Sequence, residues 1–262
     1  MSARPKLWHI PISHYSEKAR WALDYKGVEH ERRTPVAGLH PPQVLWLTRG
    51  RSYTLPVLEL DGRRYGDSTA IIAALEERFP DPPLYPDDPM QLRQALDIED
   101  FFDEEVAPYV RRAAFHEARK DERWPDLVFQ FAPPHPLMRS KRFAALYGRA
   151  FTAVRYGAAQ EDRVAAARER MVRGFDRLEH ELAGRDYLVG DRFTVADLSA
   201  AAILNPVVLP PEGPFTLDPV PEGWQRLRET VADRPGFKWV EETFARHRFP
   251  ANSRTVSAPT TA

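Results

Sequence analysis

The chain has 262 residues, 43% apolar and 29% charged, which suits a globular protein of two modest domains or one large one. Its 37 Lys and Arg offset 38 Asp and Glu, so no basic field recruits nucleic acid, and no apolar run approaches the roughly 18 residues that span a bilayer. It has no cysteine, which removes disulfides, thiolate metal sites and a protein thiol nucleophile together, and its eight histidines include no pair at i, i+3 or i, i+4 to hold a metal. The opening MSARPKLWHIP lacks the apolar core of a signal peptide, so the expected location is the cytoplasm.

Lys6 to Ile10 carries Leu7, Trp8 and Ile10 and reads as a buried strand. It passes through Pro11 to Ser16 into a helix with Ala19, Ala22 and Leu23 on one face and Gly27 at its stop. A strand feeding a helix through a tight turn aims free N–H groups and the positive end of the helix dipole at one point. That point suits an anion, and Ser13 stands there. Because the chain has no thiol, a thiolate held by Ser13 must arrive on a ligand; Tyr15 and Ser16 are the competing hydroxyls.

Val28 to Val36 reads as an edge strand ended by Pro35, and Gly38 to Arg51 as a loop with one helical turn. Tyr53 to Tyr65 holds two alternating runs around Asp61-Gly62, the signal of a type I′ hairpin. Pro56 sits at the mouth of the first run. If its peptide bond is cis, Leu55 offers its N–H and C=O sideways to a peptide ligand. Asp67 or Ser68 caps a helix with Ile71, Ile72, Leu75 and Phe79 on one face. The same carboxylate suits a ligand ammonium, and the Ser68 hydroxyl and N–H suit a ligand carboxylate.

Residues 81–89 are rich in Pro and Asp and read as a linker. From Met90 to near Arg248 the pattern is helical. Met90 to Lys120 carries an acidic stretch, read as a solvated face, and Pro108, expected to kink or break the helix. Asp121 to Met138 sets four prolines among apolar residues and is expected to be irregular, as loop packing or a cover over a cavity. Helices resume near Ser140, and Gln160 to Leu182 carries one apolar stripe. Thr194 and Asp197 form a capping box before Leu198, with Phe193 as its staple. Two short helices around Pro235-Gly236 follow, and Ala251 to Ala262 is expected to be disordered.

Three segments together resemble the cytosolic glutathione transferases. Ser13-His14-Tyr15-Ser16 is similar to the segment where a Ser or Cys meets the glutathione sulfur. Leu55-Pro56-Val57-Leu58 resembles their cis-proline segment, and Asp67-Ser68 the pair that holds the γ-glutamyl end. His14 stands where Pro often follows the active residue, and Thr48 to Thr54 replaces the usual Asn-Pro-x-Gly. The resemblance implies an α/β thioredoxin-like domain (1–82), a linker (83–90), an all-α helical domain (91–250) and a tail (251–262).

It further implies glutathione as co-substrate without a metal. Ser13 would face the sulfur and Leu55 and Pro56 the cysteinyl backbone; Asp67 and Ser68 would take the γ-glutamyl end, and His40, Arg49 or Arg51 the glycyl carboxylate. A small hydrophobic electrophile would lie against Tyr15, Tyr109, Phe115 and Trp124. The expected assembly is a homodimer, with neither nucleic acid nor membrane as partner. Without Cys at position 13, a mixed-disulfide reductase is disfavoured. A conjugating transferase, a glutathione-dependent isomerase or ether-cleaving enzyme, and a non-catalytic binding module remain as readings.

Overall fold

The apolar residues of the first strand set the centre of the N-terminal sheet. In a computed structural model, which describes residues 4–35, 40–131 and 140–248, β1 (Lys6–Trp8) pairs parallel with β2 (Glu31–Arg33) and antiparallel with β3 (Val57–Leu60). Strand β3 pairs antiparallel with β4 (Arg63–Tyr65), giving the order β2-β1-β3-β4. The charged β2 takes an edge, as expected, and charge there discourages further strand pairing. Asp61 and Gly62 both have positive φ, 49° and 77°, as a two-residue I′ turn requires.

Strand alternation sorts the two faces of this sheet. Leu7 lies opposite Leu58, and with Leu60 they pack against α1 (His14–Tyr25) and α3 (Ser68–Arg78). Trp8 lies opposite Val57, and that face is covered through Val44 of α2 (His40–Leu47). The segment expected to be a loop with one turn is therefore a helix. Pro41 and Pro42 fall in its first turn, where a missing N–H costs no helical bond.

Helix α4 (Pro89–Asp100), a π-helical stretch (Phe101–Val106) and α5 (Ala107–Ala118) follow one another without interruption. Pro108 does not break them. The N–H of Ala107 bonds to the carbonyl of Phe102, five residues back, so the register widens just before the proline. The insert is helical over α6 (Trp124–Phe131), with Pro125 in its first turn; 132–138 and the tail 251–262 lie outside the described residues. Next come α7 (Lys141–Tyr156), capped by Ser140, and α8 (Glu161–Leu182). Helix α9 (Val195–Val208) is buried along its whole length, against α1, α4 and α5. Helices α10 (Glu222–Glu229) and α11 (Pro235–His247) end the described chain.

Burying α9 requires its first turn to be satisfied from within. Asp197 accepts from the Thr194 N–H at 2.8 Å, the Thr194 hydroxyl at 2.9 Å and the Leu188 N–H at 2.8 Å. Asp197→Ala strands these buried donors, so equilibrium urea unfolding should show a loss of about 3 kcal/mol or more.

Candidate active site

The loop between β1 and α1 is shaped by one buried guanidinium. Arg20 donates to the carbonyls of Ile10 at 3.2 Å and Pro11 at 2.9 Å, and lies 2.7 Å from His9 Nδ1. Its Nε donates to Glu17 at 2.7 Å, and Arg248, 231 residues away, donates to the other Glu17 oxygen at 2.6 Å. Burial acts to raise the Glu17 carboxyl, but the two arginines outweigh it and hold it below its ordinary range. The carboxylate thus stays charged and keeps Arg20 aimed at the loop.

Ser13 caps α1 with extended backbone, and its Oγ accepts from the Ser16 N–H at 3.3 Å. That bond uses a lone pair and leaves the hydroxyl proton to donate elsewhere. Of the neighbouring hydroxyls, that of Tyr15 is committed and that of Ser16 does not line the cleft. Tyr15 donates to the Asp103 carbonyl at 2.7 Å, and burial pushes its phenol far above the ordinary range, so it stays protonated. Ser16 is fully buried and accepts from the Ile10 N–H at 3.2 Å. His14 is buried; desolvation and then the nearby Arg111 charge hold it neutral and a weak base.

Ser13 opens onto a cleft of about 470 Å³. Its sheet side is lined by Ser13, Tyr15, His40, Leu55, Pro56, Asp67 and Ser68. The Leu55–Pro56 bond is cis, and Asp67 caps α3 by accepting from the Thr69 N–H at 2.7 Å. The helical side supplies Glu104, Arg111, Phe115, Phe151, Arg155, Tyr156 and Trp224.

Ser13, His40, Leu55, Pro56, Asp67 and Ser68 therefore line one cleft, with Tyr15 and Phe115 on its wall; Arg49 and Arg51, the other residues considered for the glycyl carboxylate, do not line it. Tyr109 and Trp124 do not. Tyr109 lies between Arg112 and Arg170, two positions before Arg111, which puts it about 200° around α5 from that residue. Trp124 is in a separate core, its Nε1 donating to the Ala145 carbonyl at 2.8 Å. The arginines 111 and 155 and the aromatics of α7 were not singled out in the sequence. The i, i+4 spacing of Arg111 and Phe115 marks one helix face and was the available signal.

Residues 7–83 match the family model of the glutathione S-transferase N-terminal domain, and residues 161–229 that of the C-terminal domain. The chain belongs to the glutathione S-transferase family. It is 27% identical to a probable maleylacetoacetate isomerase of Caenorhabditis elegans over 238 residues, 89% of this chain and 91% of that protein. It is 26% identical to probable maleylacetoacetate isomerase 1 of Drosophila melanogaster over 133 residues, 47% of this chain and only about half (51%) of that relative's length. A theta class glutathione S-transferase from Xanthomonas axonopodis pv. citri, solved with glutathione bound, shares the fold at a TM-score of 0.57 and 19% identity, over 90% of this chain and 95% of that one.

In this family member the cleft's two sides are tied by a buried ammonium. Lys18 Nζ lies 2.6 Å from Glu99 and 2.5 Å from Asp103, and donates to Thr69 Oγ1 at 3.2 Å. The Thr69 hydroxyl sits 3.0 Å from Glu99 and 3.1 Å from Asp103. So α1, the start of α3 and the α4–α5 rod converge on one charge. Two carboxylates share it, and burial, outweighing Lys18, pushes both carboxyls above their ordinary range.

Removing the ammonium leaves that pair without a partner, so Lys18→Met should cost about 3–5 kcal/mol in urea unfolding at pH 7. Glu99→Gln should be tolerated. A raised carboxyl stabilises the fold fully only below its unfolded value and loses that contribution as pH rises through the folded one. The stability of wild type minus Glu99→Gln should therefore fall between pH 4 and pH 7. A difference flat across that range would contradict the assignment.

Proposed function

We propose that this protein is a glutathione-dependent enzyme in which the Ser13 hydroxyl holds the glutathione sulfur as a thiolate for attack on an electrophile in the same cleft. The observation that carries the reading is the uncommitted proton of Ser13 at the front of α1 and on the cleft, beside a Tyr15 hydroxyl that donates to the Asp103 carbonyl and a fully buried Ser16 that does not line the cleft. On this reading Leu55 and Pro56 meet the cysteinyl backbone, Asp67 and Ser68 take the γ-glutamyl end and His40 the glycyl carboxylate, and all of them line the cleft onto which Ser13 opens. The glutathione-bound relative supports the ligand. Family likeness alone stands behind a homodimer.

The energetics are sufficient without a general base. A thiol of pKa about 8.5 is only a few per cent ionised at pH 7. Lowering it by about two units needs roughly 2.7 kcal/mol of preference for the anion. One hydrogen bond to a charged acceptor contributes roughly 1.5–3 kcal/mol, and the helix terminus roughly 0.3–1. His14, buried and neutral, is a poor candidate for the base. The sulfur electron pair forms the new carbon–sulfur bond, and in a displacement the leaving group departs with the old bonding pair.

The likeness to the C. elegans protein over 89% of the chain favours a second form of the same chemistry, an isomerase. There the thiolate adds to an activated double bond and leaves again after rotation, so no glutathione is consumed. Counting glutathione consumed per product formed separates the two.

Ser13→Ala should lower kcat/KM about 10- to 150-fold, the equivalent of one charge-assisted hydrogen bond. It should also move the inflection of the pH–kcat/KM profile up toward the free thiol value near 8.5. An unchanged inflection would give the sulfur to another donor.

A further inference from the structure

The helical side of the cleft carries a charge that the thiolate chemistry does not use. Other buried or half-buried arginines are paired with acids, Arg20 with Glu17, Arg32 with Asp24, Arg234 with Asp176 and Glu179, and Arg248 with Glu17 and Asp24, or donate to backbone carbonyls, as Arg112, Arg119 and Arg228 do to Tyr156, Arg149 and Val208. Arg111 is half-buried and, among the described residues, has no carboxylate partner. Its Nε is buried without any hydrogen-bond partner. Glu104 also lines the cleft, but it is exposed and forms no ion pair with Arg111.

What holds Arg111 is ring contact. Its Cζ lies 4.4 Å from the centre of the Tyr156 ring and 5.9 Å from that of Tyr15. Stacking on a ring fixes the plane of a guanidinium and leaves the donors along its edge to form a fork for a carboxylate. Phe115, one turn further along α5, stacks parallel on the other partner of that slot, with ring centres of Phe115 and Tyr156 5.4 Å apart and 2° between planes. An oriented, partly desolvated cation thus sits next to a flat apolar wall. Arg155 also forms no ion pair among the described residues, but it is exposed, and its Cζ lies between two rings, 5.6 Å from the centre of Tyr156 and 5.9 Å from that of Tyr53.

Given the glutathione reading of this cleft, we propose that the electrophile is an anion: a planar unsaturated or aromatic molecule whose carboxylate is held by Arg111 while its body lies along Phe115 and Tyr156. The hydrophobic electrophile expected from the sequence becomes, on this account, an amphipathic one. The same donors could in principle meet the glycyl carboxylate of glutathione itself, so the test separates the two sources.

The test is equilibrium binding, by titration calorimetry at low ionic strength, of S-(4-carboxybenzyl)glutathione, of its neutral isostere S-(4-carbamoylbenzyl)glutathione, and of S-methylglutathione. Wild type should prefer the carboxylate conjugate by about tenfold or more, the scale of one charge-assisted hydrogen bond. Arg111→Gln should bring the two benzyl conjugates to within about twofold of each other, and Arg111→Lys should keep part of the preference. Equal affinities in wild type would overturn the proposal, whether or not the variants fold. So would a preference that survives Arg111→Gln, or a loss for S-methylglutathione as large as for the carboxybenzyl conjugate, which would place Arg111 on the tripeptide. If S-methylglutathione does not bind wild type at all, it is the glutathione reading that fails, and this proposal with it.

Discussion

A single ammonium, enclosed by protein, decides how this cleft is put together. Lys18 projects from α1 and is closed in by Glu99 and Asp103 from the α4–α5 rod and by Thr69 from the start of α3. Taking three charges out of water is expensive, and an apolar contact of the same volume would often hold as well. What the charges add is discrimination. Any slip of the rod against α1 would separate an acid from its counter-ion, so one docking is favoured over its neighbours. The rod is placed where its Asp103 carbonyl receives the Tyr15 hydroxyl and its Arg111 lines the same cleft as Ser13.

The loop before α1 depends on a second buried network, and the two act on opposite ends of the same short segment. Arg20 fixes the carbonyls of Ile10 and Pro11 upstream of Ser13, while the Asp103 carbonyl fixes Tyr15 downstream. Ser16 turns inward to the Ile10 N–H. With these positions committed, Ser13 presents its oxygen at the helix N-terminus, with its proton unspent. A hydroxyl and a helix dipole are enough to hold a thiolate, because the free thiol lies only about 1.5 units above neutrality. The absence of cysteine and the neutrality of His14 are consistent with that economy.

Local signals in the sequence were faithful where the chemistry is local. Alternation around Asp61-Gly62 marked the hairpin, Asp67 the start of α3, and Thr194 with Asp197 the start of α9. Ser13, Leu55, Pro56, Asp67 and Ser68, from three short segments, and His40 are gathered by the fold at one cleft, while Arg49 and Arg51 are left off it. Prolines misled twice, each time toward too little helix. Pro41 and Pro42 suggested a loop yet begin α2, and Pro108 suggested a break yet follows a π-helical stretch that absorbs it. The far wall was hidden for a different reason. Arg111 and Arg112 are adjacent and chemically identical, and only tertiary packing turns one to the cleft and the other to the Tyr156 carbonyl. Bonds such as Tyr15 to Asp103, 88 residues apart, leave no trace in either segment alone.

The central claim, that the front of α1 keeps one hydroxyl free for a borrowed sulfur, is tested most directly by a crystal structure of the protein grown with glutathione. The sulfur should lie within hydrogen-bond reach of Ser13 Oγ, with the Tyr15 hydroxyl still on the Asp103 carbonyl. A sulfur placed against Tyr15 instead, or an ordered tripeptide whose sulfur lies beyond reach of Ser13, would contradict it.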